Sequence, residues 1–142
     1  MNDLPQNPQS NIAAVSGSAL IADFLGLELD IDQEEYPNYY RMSDSFNPEN
    51  ITRCSLKSME FSFKNSWNWL MPVLEKLCRK EIGDGITYVK YATPRTFGML
   101  NEETEQIMVR LEGFQLQQAD TLIEATFLAI VDCLQWLSQA DR

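Results

Sequence analysis

The chain has 142 residues and not one histidine. That absence removes the commonest general base, the commonest metal ligand and the natural proton switch near neutrality, which excludes His-based triad hydrolases and His-ligated zinc sites. Cysteine is scarce: Cys54, Cys78 and Cys133 are odd in number, lie far apart and form no C-x-x-C pair for zinc or thiol exchange. They are expected to be reduced. No lysine or arginine precedes Arg41, and the opening MNDLPQNPQSNIAAVSGSA has no long apolar core. The basic region and hydrophobic stretch of a secretory signal are therefore missing, and a cytoplasmic location is expected. The longest apolar runs, such as Trp69 to Leu74 and Phe127 to Val131, fall far short of the roughly 20 residues that cross a bilayer, so no membrane span is expected. Gly83-Asp84-Gly85 follows a helical pattern and lacks the lysine and hydroxyl of a phosphate loop. No metal or other cofactor is implied.

What is present is an ordinary globular composition, 44% hydrophobic and 23% charged, with an acidic imbalance of 21 carboxylates against 11 cations and a net charge of −10. A basic face for duplex nucleic acid is excluded on this balance. The excess is localised, because residues 1 to 45 carry eight carboxylates against Arg41 alone. The length fits one α+β domain over residues 18 to 142, preceded by a flexible Asn-, Gln- and Ser-rich tail at 1 to 17.

Apolar spacing then gives the elements. Leu20, Ile21, Phe24 and Leu25 recur as one face of a short helix, with Ser16 or Ser18 as N-cap and Gly26 at its end. The stretch ELDIDQEE reads as a solvated acidic loop. Asn47, Pro48 and Asn50 are turn formers. Met59, Phe61 and Phe63 alternate with Ser58, Glu60 and Ser62, which reads as a strand over 56 to 63. A strong helix follows, with Trp67, Leu70, Met71, Leu74 and Leu77 or Cys78 on one stripe. It begins at Ser66 with a bend at Pro72, or alternatively its main part begins at Pro72.

The runs ITYVKYA, RTFGML and EQIMVRLEG favour strands, the last two as a hairpin. In that hairpin Phe97 and Met99 would share a face with Ile107, Val109 and Leu111 if the register allows. A long helix closes the chain, opened by the Thr121 and Glu124 capping box and buried on more than one side. The expected fold is an antiparallel sheet of about four strands packed with two long helices and a short N-terminal one.

SWNWLMPVLEKL, a β hairpin and the closing EATFLAIVDCLQWLS together resemble uncharacterised phage and prophage proteins grouped as the phage ABA (alpha-beta-alpha) sandwich domain. The resemblance covers about half the chain and rests on packing motifs. It implies a sandwich fold and a mobile-element origin, with no catalytic or binding residues to carry across.

Several clusters invite chemistry. Glu28, Asp30, Asp32, Glu34 and Glu35 offer oxygen ligands, but the EF-hand pattern fails for want of a glycine at its sixth position and an acid at its twelfth, which is Arg41. The same run suits a basic protein partner, which it would attract and orient. Nucleic-acid mimicry would need phosphate-like spacing of carboxylates, which a sequence does not display. Trp69 reads either as an interface anchor or as a residue packed in the fold. Tyr39, Tyr40 and Arg41, or Tyr88 and Arg95, can stack on a nucleobase or small ligand, or serve as ordinary sheet residues. Arg53 beside Cys54 would lower a thiol pKa, but no histidine base accompanies it, and Cys78 and Cys133 fall on buried helical faces. The reading that makes fewest demands is a non-enzymatic module or inhibitor acting by protein contact, compatible with a weak homodimer. The alternative is a small-molecule or nucleotide-binding module.

Overall fold

The computed structural model describes residues 17–30, 39–79, 81–82, 90–91 and 93–140. The expected tail lies outside them apart from Gly17, as do most of ITYVKYA and the Gly83-Asp84-Gly85 turn. The fold class is α+β, and the chain groups into two compact units, Met1–Glu60 and Phe61–Arg142.

In the first unit, helix α1 spans Gly17–Phe24 and buries Ile21 and Ala22. Its end follows from Gly26, whose φ of 79° is open to glycine at no steric cost. The Gly26 amide donates to Asp23 and the Leu27 amide reaches back to Ala22, the paired bonds of a Schellman cap, and Leu27 is buried beside them. Three short strands follow, β1 (Glu28–Leu29), β2 (Tyr39–Arg41) and β3 (Arg53–Ser55), in an antiparallel sheet of order β1-β2-β3. The β2–β3 connection is held by Asn47, whose side chain both accepts from the Ile51 amide and donates to the Ile51 carbonyl. Asn50 completes this turn at φ 54°, and Phe46 is buried beneath it.

Residues Leu56–Asn65 form helix α2, which replaces the expected strand over 56 to 63. The alternation of Met59, Phe61 and Phe63 was a coincidence of spacing: Met59 and Phe63, four residues apart, are fully buried, whereas Phe61 faces solvent. The deciding signal is Ser55, whose hydroxyl accepts from the Ser58 amide as an N-cap.

In the second unit, helix α3 runs unbroken over Trp67–Arg79 with Pro72 inside it. Pro72 lies on the exposed side, as does Asn68, whose carbonyl loses its partner there and can turn to water. The buried stripe is Trp69, Leu70, Val73, Leu74 and Leu77, rotated from the expected one. Val73 fixes the rotation by pairing with Trp69 at a spacing of four, leaving Met71 exposed and Trp67 at the margin.

A two-residue pair, β4 (Glu81–Ile82) with β5 (Lys90–Tyr91), precedes the second three-stranded sheet, β6 (Pro94–Asn101), β7 (Gln106–Leu111) and β8 (Gln117–Ala119), order β6-β7-β8. Helix α4, Leu122–Ala140, packs mainly against β7 and β8. Thr121 caps it, accepting from the Glu124 amide and donating to the Glu124 carboxylate. Buried Thr126 spends its hydroxyl on the Leu122 carbonyl at 2.7 Å. The helix buries Ala125, Phe127, Ala129, Ile130, Cys133 and Leu134, with Leu128 and Trp136 exposed.

The described strands thus form two three-stranded antiparallel sheets and one short pair, where a single four-stranded sheet is expected from the sequence. Assigning 56 to 63 to a strand supplied a member that belongs to a helix.

Candidate functional site

The leading acidic stretch comes first. Alternation along β1 and its continuation places Glu28 and Asp30 on one face of the sheet. The register sets Glu28 opposite Arg41 and Arg41 opposite Arg53. Asp30, 3% exposed, is held by its backbone amide, which donates a hydrogen bond to the Tyr39 carbonyl at 2.7 Å. One of its carboxylate oxygens lies 3.5 Å from Nη2 of Arg41 and the other 3.8 Å from Nε of Arg53. Asp30 is therefore an internal counter-ion and is not available at a docking face. Glu28 is exposed, and Asp32, Glu34 and Glu35 lie outside the described residues.

Of the residues expected to line a ligand pocket, each described one belongs to a strand of its own unit. Tyr39, Tyr40 and Arg41 belong to β2 of the first unit, where Arg41 is engaged by Asp30. Burial, and secondly the Asp23 charge, push the Tyr40 hydroxyl pKa up, so it stays protonated. Arg95 sits on β6 of the second unit and pairs with Glu112 at 3.2 Å. Tyr88 lies outside the described residues.

Trp69 is 1% exposed, with its ring edge-on to Phe63 at 5.4 Å between centroids, and so belongs to the core and not to a contact surface.

The cysteines are free thiols with raised pKa values. Burial is the main cause at each, reinforced by Glu49 for Cys54 and Glu75 for Cys78. Cys133 is pushed up to about 12 by burial, then by Asp132 and Cys78. Arg53 does not activate Cys54 because adjacent strand residues face opposite ways and its guanidinium goes to Asp30. Among the described residues no group of His, Cys, Asp and Glu is placed to hold a metal ion, and no helix is long and apolar enough to cross a membrane.

Among the described residues, three large exposed apolar side chains fall together on the β6–β7 hairpin. Phe97 stands opposite Val109 and Leu100 opposite Ile107 on the face toward α4, while Met99 stands opposite Met108 on the other face. The expected grouping of Met99 with Phe97 fails because Gly98, at φ 89°, forms a bulge that resets the alternation. A Cβ on Gly98 would meet Leu122 at an ordinary 3.6 Å, so its positive φ, not crowding, calls for glycine. Trp67 borders Phe97, their rings 6.3 Å apart. Even so, Phe97, Leu100 and Met99 are 43, 52 and 62% exposed.

The hairpin's end is ordered. Asn101 accepts the Glu105 amide on its carbonyl at 2.7 Å and the Glu103 amide on its side-chain oxygen at 3.0 Å, and its amide nitrogen donates to Gln118. A shallow hollow of about 470 Å³ lies here, lined by Leu100, Asn101, Glu102, Glu103 and Met108. Glu102, Glu103 and Glu105 are exposed, and none forms an ion pair among the described residues.

No family model, curated protein or solved structure matches the chain. The hairpin surface has to be read from its own chemistry. Sequence reasoning missed it because RTFGML looks like any half-buried strand, and neither its edge position nor the exposure of its side chains can be read locally.

Proposed function

We propose that this chain is a non-enzymatic protein-interaction module whose contact surface is the β6 edge of its second unit, and that it serves a basic partner in the reducing setting of the cytoplasm. The observation that carries the reading is the stretch Thr96 to Leu100, a sheet edge with large exposed apolar side chains and no charge or proline. Soluble proteins guard such edges with lysine, proline or a covering element, because an open ladder invites pairing. The net charge of −10 and the exposed glutamates at the hairpin end, which have no cationic partner among the described residues, favour a partner of opposite sign. Free, protonated thiols and the lack of histidine argue against nucleophilic chemistry. A nucleotide or small-ligand site at Arg41 or at Arg95 is disfavoured because each guanidinium already faces a carboxylate of its own unit. The likeness to phage sandwich proteins fits an accessory role and supplies no site residues.

A photo-crosslinking side chain installed at Met99, and in a second protein at exposed Pro48, tests this in lysate of the source cell. Adducts of defined mass at position 99 that are lacking at 48 are expected, whereas an adduct to a second copy alone would overturn the basic partner. Identical adduct patterns at the two positions would refute the reading.

A further inference from the structure

The interaction reading leaves the occupant open, and the chemistry along β6 narrows it. We infer that β6 takes an extended peptide segment of a partner protein as an added antiparallel strand, with consecutive apolar side chains for the two faces of the sheet and basic residues at the segment's N-terminal end. This rests on the interaction reading above.

Three features lead there. First, β6 pairs with β7 on one edge only, and among the described residues no strand or side chain bonds to its other edge. Bulges are one way of blunting an edge, and β6 has register breaks between Pro94 and Thr96 and between Phe97 and Met99. From Met99 to Asn101 the register is continuous, so the blunting does not reach the end of the strand that adjoins the hollow.

Second, Leu100 faces one side of the sheet and Met99 the other. An added strand would therefore find an apolar neighbour on each face, matched by apolar side chains at consecutive positions opposite Met99 and Leu100.

Third, the chain leaves β6 into Glu102, Glu103 and Glu105, exposed carboxylates with no cationic partner among the described residues. In antiparallel addition the incoming N-terminus lies at this end, which fixes where its lysines or arginines belong.

A second copy fits less well. Self-pairing of β6 would bring Arg95 of one copy toward the acidic end of the other, but that guanidinium is held by Glu112 at 3.2 Å, and two chains of net charge −10 repel.

The probe is a displayed library of random ten-residue peptides selected on the full chain. The expected winners carry consecutive β-branched or aromatic residues, one for each face of the sheet, and begin with lysine or arginine. Their binding slows amide exchange in residues 94–101 and weakens by about tenfold in the Glu102→Gln/Glu103→Gln variant, a modest charge effect that added salt should mimic. Winners that leave exchange in 94–101 unchanged, or that carry no basic end and ignore the double variant, overturn strand addition while leaving the crosslinking result at Met99 standing. Concentration-dependent dimerisation that Leu100→Lys abolishes, with no peptide selected, overturns the peptide in favour of self-pairing. No peptide and no dimer overturns the inference outright, and the crosslinking comparison separately decides whether the interaction reading falls with it.

Discussion

Arg41 and Arg53 stand directly opposite one another on β2 and β3, a placement of like charges that the Asp30 carboxylate makes tolerable by giving one oxygen to each. Like charges at facing positions destabilise a sheet, whereas a carboxylate shared between them turns repulsion into a bridge. Both separations are long for hydrogen bonds, and both guanidiniums reach water in part, so the arrangement is chiefly Coulombic and partly screened.

Asp30→Ala is therefore expected to cost about 1–2 kcal/mol, below the value for a fully buried pair, because the stranded arginines can turn to solvent. Arg53→Ala leaves a buried carboxylate with one distant partner and should cost a similar amount. The two losses should not add: with Asp30 gone, removing Arg53 relieves the clash with Arg41. A urea-denaturation double-mutant cycle measures this, and additive losses would show that the carboxylate does not bridge.

Trp69→Ala is expected to destabilise by about 3–5 kcal/mol, as befits an indole wholly inside the packing with Phe63 against it. Trp67→Ala, at the margin of the same helix, should cost clearly less. Melting temperatures of the two variants settle the comparison, and equal losses would mean that the stripe of α3 is wrongly assigned.

These two sites show what the sequence carried and what it withheld. The capping box at Thr121, the Gly26 stop and the α4 stripe were legible because each is a local pattern whose physics closes within a few residues. The α3 stripe was legible only to within one rotation, since Trp67 and Trp69 both match Leu70, Leu74 and Leu77 until Val73 is given weight. The α2 helix is ambiguous in the sequence because Met59, Phe61 and Phe63 satisfy a period of two while Met59 and Phe63 satisfy a helix, and only the Ser55 cap breaks the tie. Pairing of Asp30 with Arg53 spans 23 positions, and no local rule reports it. The β6 edge was invisible for a related reason: whether a strand is central or at an edge depends on partners elsewhere in the chain.

Glu105 adopts φ 59° at the close of the hairpin, a region where a side chain costs about 1 kcal/mol and glycine very little. Glu105→Gly should therefore raise stability by up to about 0.5 kcal/mol, once the roughly 0.4–1 kcal/mol of added freedom in the unfolded chain is charged against it. Glu105→Ala, which removes the same charge and keeps the Cβ, should give no comparable gain. Chemical denaturation of the pair separates backbone relief from charge removal, and equal gains would place the cause in the charge.

Cys133 links stability to alkaline pH. An unfolded thiol titrates near 9.0, whereas in the folded chain burial, Asp132 and Cys78 push it up to about 12. Between these values the unfolded state gives up a proton that the folded state keeps, so the folded state binds more protons and stability falls as pH rises. The slope from this one group is about 1.4 kcal/mol per pH unit, absent below pH 9 and setting in above it. Cys133→Ala should be less stable than the parent at pH 8, because it leaves a small void in the core. The gap should then narrow at pH 10 and above, since the variant lacks this titration while Cys54, Cys78 and Tyr40 act on both proteins alike. Urea midpoints at pH 8, 9, 10 and 10.5 give the test, and a gap that stays constant over that range would mean that Cys133 ionises in the folded chain as readily as in the unfolded one.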